Sequence, residues 1–458
     1  MTQSTLGFRK YPSTRNIAPR TTQRWLEGKR IDDDIGSPEL WRVHNDLYDL
    51  TDFIEHHPGG ADWLRITRGT DITEAFEAHH PNIAVAHAVL RKYRVREATT
   101  PRNSPFTFEP DGFYATFRSR AWPIIQALRK GGANDAKNAS SITSPSMRHV
   151  TDTLAASFVV LMVLACVTGA YSSWLSRVLT LAAGGALALA TISAHNFFHQ
   201  ADNWRMYVFD LSLLSSYDWR ISHALSHHIF PNTVYDVEIS ALEPMLCFLP
   251  TPKTPLQRYG VWLYSLLLYA ILLPVQFLAK CLVAVRARVA PVAGQPPPLP
   301  LRPENALPFV ELALCIVLCG SLSAGLGTWL LMHLACSWLF AFVGLIAAHH
   351  HPDLWHDGDD PKYESRDWGI QQIAAVRDRV DVSGRLWLVA TMFGDHTLHH
   401  LLPTIDHAML PALYPVLQQT CREFNVDCQQ SDILTMAIGK YRQYAKVTPT
   451  RNTKPPCG

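Results

Sequence analysis

Two apolar runs separated by a single dipeptide constrain this chain more than any other feature. Leu154–Leu175 contains no charged residue, and Val178–Ala194 follows after only Ser176 and Arg177. About 20 apolar residues span the hydrocarbon core of a bilayer and about 17 can suffice, provided the segment satisfies its own backbone hydrogen bonds. The pair therefore predicts a helical hairpin in lipid. Three more apolar stretches follow, Val261–Ala279, Ala306–Leu322 and Trp329–Ala348, and five such segments together argue against buried helices of a soluble protein. Composition agrees, since 17% of the 458 residues are charged, against roughly 25% in soluble domains. Lys and Arg total 41 against 39 Asp and Glu, a balance that provides no field to draw in nucleic acid. The N-terminus has basic residues but no apolar core after them, so a cleaved signal peptide is not expected and membrane entry falls to the internal helices. The nine cysteines show no CxxC spacing and read as reduced thiols.

Around these runs the chain divides into four parts. Residues 20–97 are rich in charge, as a small soluble domain should be, behind a polar arm at 1–20. Residues 98–150 form a linker with a surface or interfacial helix around Trp122–Arg129. Residues 151–425 hold the apolar segments, and 426–458 form a tail. The proline-rich tract at 291–308 reads as a stiff connector.

Histidine is the next signal, with 21 residues in a chain otherwise poor in charge. His195 and His199 stand at i,i+4 as an apolar helix ends, which places both imidazoles on one helix face. His223, His227 and His228 form a second cluster, and His396, His399 and His400 a third. Imidazole suits iron, zinc and copper, and no cysteine accompanies these clusters as a thiolate-rich site would require. If the three clusters share one site, an even number of crossings must lie between 229 and 395. That parity predicts four membrane helices, with Val261–Ala279 interfacial or re-entrant because Pro274 can interrupt it. Asp202, Asp210, Asp218, Asp236, Glu238 and Asp395 lie near enough in sequence to support imidazole ligands through their second nitrogens.

In the charged N-terminal part, His57-Pro58-Gly59-Gly60 joins an imidazole to a tight reversal that residues without Cβ adopt cheaply. Trp63, Leu64, Ala75 and Phe76 can wall an apolar slot beside it. A haem held by protein alone needs two strong axial ligands from separate backbone elements. Residues 20–97 resemble the cytochrome b5 haem-binding domain, whose HPGG signature precedes a second histidine ligand by about 23 residues. The resemblance implies haem b held by His57 and His80, with His79 as the alternative to His80.

The three histidine clusters resemble the histidine boxes of membrane fatty-acid desaturases and related hydroxylases, over about 150–425. Pro231-Asn232-Thr233 after the second cluster and Leu401-Leu402-Pro403 after the third add to the likeness. The resemblance implies two non-haem irons held by His195, His199, His223, His227, His228, His396, His399 and His400. It also implies an extra ligand near the end of the last membrane helix, for which His350 is the candidate. Two departures from the family pattern concern product and substrate: three residues, rather than two, separate His223 from His227, and the third box opens with His396. Joined haem and desaturase-like parts are also similar to proteins of insects.

The fold these resemblances imply is an α+β cytochrome b5-like domain followed by an all-α polytopic membrane domain of desaturase type with about four transmembrane helices. The implied activity is oxygen-dependent fatty acyl desaturation in the endoplasmic-reticulum membrane, with the haem domain and histidine clusters facing the cytosol. NADH-cytochrome b5 reductase, dioxygen and a membrane lipid or acyl-CoA would be its partners. Lipid hydroxylation at the same centre, and a non-catalytic membrane-tethered electron carrier, are the competing readings.

Overall fold

The computed structural model describes residues 4–18, 20–131, 145–171, 173–289 and 300–452. The central part of the predicted linker and the first half of the proline-rich tract lie outside the described residues.

Near the N-terminus three short strands form an antiparallel sheet in the order β1-β2-β3: β1 (Trp41–Val43), β2 (Asp46–Tyr48) and β3 (Arg94–Glu97). Trp41 faces Tyr48 and Asp46 faces Glu97 across the ladders. Apolar side chains of the sheet meet those of the helices Ala61–Thr67, Thr73–His79 and Ile83–Leu90, so that Trp41, Val43, Leu64, Phe76 and Leu90 are buried together. Trp41 also donates its indole N–H to the carbonyl of Leu64 at 3.0 Å, tying the strand to the helix that follows His57. Gly60 has φ +106°, and its N–H closes on the carbonyl of His57 at 2.9 Å. This left-handed conformation is the reason for glycine at the end of the HPGG turn.

The polar N-terminal arm is packed against the membrane domain. The Thr5 N–H donates to Asp357 at 2.9 Å, Arg15 pairs with Glu243 at 2.9 Å, and the Trp25 indole N–H donates to the carbonyl of Tyr235 at 2.7 Å. The surface helix expected around Trp122–Arg129 is part of a longer one, Phe113–Gly131, whose Phe113, Tyr114 and Phe117 are fully buried.

Among the described residues four helices are long and apolar enough to cross a membrane: Met147–Thr168, Ser173–Phe198, Leu256–Arg286 and Leu322–Leu345. The first two are the predicted hairpin. The stretch Ala306–Leu322 contracts to a helix over Leu307–Cys319, about 20 Å long at 1.5 Å per residue. Pro274 does not interrupt its helix, contrary to expectation, because Val261–Val289 is continuous through it. One turn earlier, Ser337 of the neighbouring helix enters the backbone ladder, accepting from the Leu273 N–H at 3.1 Å and donating to the Tyr269 carbonyl at 2.5 Å. Such side-chain insertion re-satisfies groups that a proline bend would expose to lipid.

Both ends of that long helix lie on the side of the histidines. At its start Arg258 donates to the Ala445 carbonyl at 3.3 Å, near its end Lys280 pairs with Asp218 at 2.8 Å, and beyond it Arg302 pairs with Asp62 of the N-terminal domain at 2.9 Å. Leu307–Cys319 then forms a second hairpin with Leu322–Leu345 through the turn at Gly320.

Candidate functional site

The Ser173–Phe198 helix delivers His195 near its end and His199 in the turn directly after it. The second histidine cluster lies on a π-helical turn, Arg220–His227, in which the N–H of His228 bonds the carbonyl of His223 at 2.8 Å, five residues back. One extra residue per turn accommodates the three-residue spacing between His223 and His227. It brings His223 and His228 to one side, their Nε2 atoms 3.0 Å apart. π-turns inside helices recur at functional sites for this kind of re-aiming. The third cluster rides on the short helix His396–Leu401.

These elements converge on two groups of buried imidazoles whose ligand atoms lie within 4.8 Å of one another: His195, His199, His223, His228 and His399 in one, and His227, His349, His396 and His400 in the other. The groups adjoin, with the rings of His228 and His400 stacked at 4.0 Å. All eight histidines predicted from the boxes are present. The extra residue differs from the prediction, since His349 joins the second group and His350 does not. The last membrane helix ends at Leu345, and without helical periodicity neighbouring side chains in the His349–His351 triplet leave the chain in different directions. His349 turns inward to His227, while His350 stacks on Phe248 at 3.6 Å.

The donor set fits metal ions. Nitrogens about 2 Å from one metal lie on the order of 3 Å apart, and His399 meets His195 at 2.9 Å and His227 meets His349 at 3.1 Å through Nε2 atoms. Both ring nitrogens of His199, and Nε2 of His400, are buried without hydrogen-bond partners, a cost that a metal would relieve. Burial and mutual repulsion hold His228, His396, His399 and His400 well below the ordinary imidazole range, so these rings are neutral, as ligands must be. Burial also lowers His227, but Asp236 and Glu238 outweigh it and leave that pKa raised.

Supporting acceptors complete the arrangement. Asp236 meets Nδ1 of His227 at 2.9 Å, Glu238 meets Nδ1 of His223 at 3.0 Å, and the Ala375 carbonyl meets Nδ1 of His349 at 3.0 Å. The side-chain amide of Gln372 lies 3.0 Å from Nδ1 of His400 and holds that ring in place. The other nearby carboxylates serve elsewhere: Asp202 pairs with Arg220, Asp218 with Lys280, Asp210 accepts from the Ser216 N–H, and Asp395 from Tyr414. Sequence reasoning missed Gln372 and His407, whose ring lies 4.5 Å from that of His399. Neither carries a local spacing signal.

A cavity of about 740 Å³ opens onto His223, His227, His349 and His396. Its walls come from the long helix around Leu272 and Val283 and from Phe340 and Leu345 of the last membrane helix.

In the N-terminal domain the rings of His57 and His80 face one another with centroids 6.2 Å apart. Each commits Nδ1 to a carbonyl, of Gly60 at 2.9 Å and of Phe76 at 2.8 Å, leaving Nε2 for the space between them. Burial pushes His80 down to about 4 and lowers His57 as well. His79 points elsewhere, onto Trp63, with ring centroids 5.4 Å apart.

Residues 172–431, more than half of the chain, match the model of the fatty acid desaturase family. The chain belongs to the fatty acid desaturase family. Residues 27–99 match the cytochrome b5-like heme/steroid binding domain, so this desaturase-family chain is fused to a haem-binding domain. It is 39% identical over 446 residues to the cytochrome b5-related protein of Drosophila melanogaster, covering 96% of this chain and 95% of that one. It is 24% identical to acyl-lipid (8-3)-desaturase B of Dictyostelium discoideum and 23% identical to the acyl-lipid (8-3)-desaturase of Mortierella alpina, over 89% and 88% of its length and 90% and 92% of theirs. No solved structure matches it. The paired histidine clusters are therefore positioned to form a diiron-type site in a multi-pass membrane protein of desaturase-like fold.

Proposed function

We propose that the chain is an oxygen-dependent acyl-lipid desaturase that carries its own electron donor. In this reading His195, His199, His223, His228 and His399, with His227, His349, His396 and His400, hold two irons, and His57 and His80 hold haem b. The observation that carries it is the convergence of both imidazole groups at an apolar cavity, with a facing histidine pair of haem type docked on the same side. Two irons bound there would supply the dioxygen activation needed to take hydrogen from an unactivated acyl carbon.

The chain's own residues prepare that chemistry. Asp236 and Glu238 accept the Nδ1 protons of His227 and His223 and so present Nε2 inward. Leu272, Phe340 and Leu345 give the cavity a wall that an acyl chain can lie along while water is excluded. Forming one double bond removes two electrons and two protons from the acyl chain. Reducing dioxygen to two waters takes two further electrons and two solvent protons, and the haem domain delivers those electrons singly. NADH-cytochrome b5 reductase would refill the haem at the cytosolic face of the endoplasmic reticulum. The acyl-lipid desaturases among the relatives support an acyl-lipid substrate over a free acid.

The test combines metal analysis with product analysis on detergent-purified protein. Three irons in total per haem, together with lipid products that lose two hydrogens only when oxygen, NADH and added cytochrome b5 reductase are supplied, are the expected result. Products that gain oxygen would replace desaturation by hydroxylation. One iron per haem after reconstitution with ferrous iron would sink both and leave a tethered electron carrier.

A further inference from the structure

The haem-binding domain meets the membrane domain through a chain of contacts that ends at the metal site. Trp63 lies on the helix that follows the His57 turn, and its ring touches that of His79 with centroids 5.4 Å apart. The guanidinium of Arg220, a membrane-domain residue only 1% exposed, sits over the Trp63 ring at 4.9 Å. Arg220 also donates through Nε to the Phe198 carbonyl at 3.1 Å, directly before His199, and pairs with Asp202 at 2.7 Å. It opens the π-helical turn that carries His223. The two domains approach closely here, since a Cβ added to Gly60 would come within 2.8 Å of Asp202.

Packing alone explains this arrangement poorly. His79 commits Nδ1 to the Ala75 carbonyl at 2.9 Å, yet its Nε2 is buried without a partner. An unpaired buried polar group is a cost that an apolar side chain would avoid. Arg220 is a buried cation placed between an indole of one domain and the backbone of a metal-site helix in the other. Side-chain contact and a hydrogen bond thus link a residue beside His80 to a residue beside His199 without a gap.

We propose that Trp63, His79 and Arg220 form the bridge by which an electron passes from the haem to the metal pair, a role that rests on the function proposed above. In each transfer the ferrous haem is oxidised by one electron and a ferric ion of the pair is reduced by one. No bond forms or breaks in the bridge, and its side chains end as they began. His79 is a positioning residue in this scheme and not an axial ligand.

Flash photoreduction of the haem in the full-length protein, under anaerobic conditions and with ferric iron loaded, reads the step directly. The wild type should reoxidise its haem faster with iron loaded than without. Trp63→Leu and His79→Phe should slow the iron-dependent decay, measured per bound haem, at least tenfold while the Soret spectrum stays low-spin. Trp63→Phe, which keeps a ring at the contact, should retain more than half of the rate and guards against a folding defect in the leucine variant. Unchanged decay in both disruptive variants would overturn the bridge while leaving the desaturase reading intact. Conversion of His79→Phe to a high-spin spectrum would also overturn it, by marking His79 as an axial ligand. A wild type whose decay ignores iron would instead sink the proposed function, and the bridge with it.

Discussion

His227 and His349 bring their Nε2 atoms to 3.1 Å across 122 residues of chain, and in doing so they close the second imidazole group. Neither belongs to the π-turn pair of His223 and His228, so the two groups draw on different sides of one histidine box. Removing one imidazole of four should empty that group while the other stays filled. His349→Ala is expected to lower non-haem iron from two to one per haem and to abolish lipid turnover. His350→Ala should keep both irons, because that ring lies on Phe248. Metal analysis on the two variants distinguishes them.

Asp236 fixes the imidazole of His227 from behind, at 2.9 Å. Asp236→Asn removes the charge but keeps an acceptor of similar size. Loss of such a supporting group weakens metal affinity by about 10- to 100-fold. Competition with an iron chelator should show that weakening for one of the two irons, and the haem spectrum should not change. Equal chelator sensitivity in variant and wild type would remove Asp236 from the site.

Asp210 predicts a pH dependence unrelated to the ligands. Burial pushes its pKa from the ordinary 3.8 up to about 7, with the Ser216 N–H as a hydrogen-bond donor at 3.2 Å. Between those two values the folded protein holds a proton that the unfolded chain has released, so stability falls as pH rises from about 4 to about 7. The span corresponds to roughly 4 kcal/mol for this one group. Asp210→Asn should therefore flatten the dependence and raise the midpoint of thermal unfolding at pH 8 more than at pH 5. A variant that melts lower at both pH values would show that the carboxylate is needed.

The contacts of the long helix lead to a topology prediction. Arg302 reaches Asp62 of the haem domain, whereas Gly320 lies between the two helices of the second hairpin. An acceptor site for N-glycosylation inserted at Gly320 should be modified in microsomes, and one inserted beside Arg288 should not. Modification at Arg288 alone would mean that Val261–Val289 crosses the membrane after all.

Hydrophobic length marked out the long helices, and proline content gave a wrong expectation for one of them. Pro274 was a natural place to expect a break, but the hydroxyl of Ser337 repairs the ladder there and the helix runs on. Polar contacts at and beyond its two ends, made with residues about 60 to 240 positions away, hold those ends beside the histidine-bearing part of the chain and the N-terminal domain. Those contacts leave no mark in local composition. The choice of His350 over His349 failed for a similar reason, because only the fold shows which of three adjacent imidazoles turns inward.

Sequence by itself determined the parts whose geometry is local to the chain: the lipid hairpin, the HPGG reversal, and the imidazoles set one helical turn apart. Covalent spacing and helix periodicity suffice for these. Tertiary structure decided how nine imidazoles divide into groups of five and four, which histidine faces His57, and how closely Trp63 approaches Arg220. Each depends on the packing of segments far apart in sequence, where burial and hydrogen-bond satisfaction of the whole chain select one arrangement.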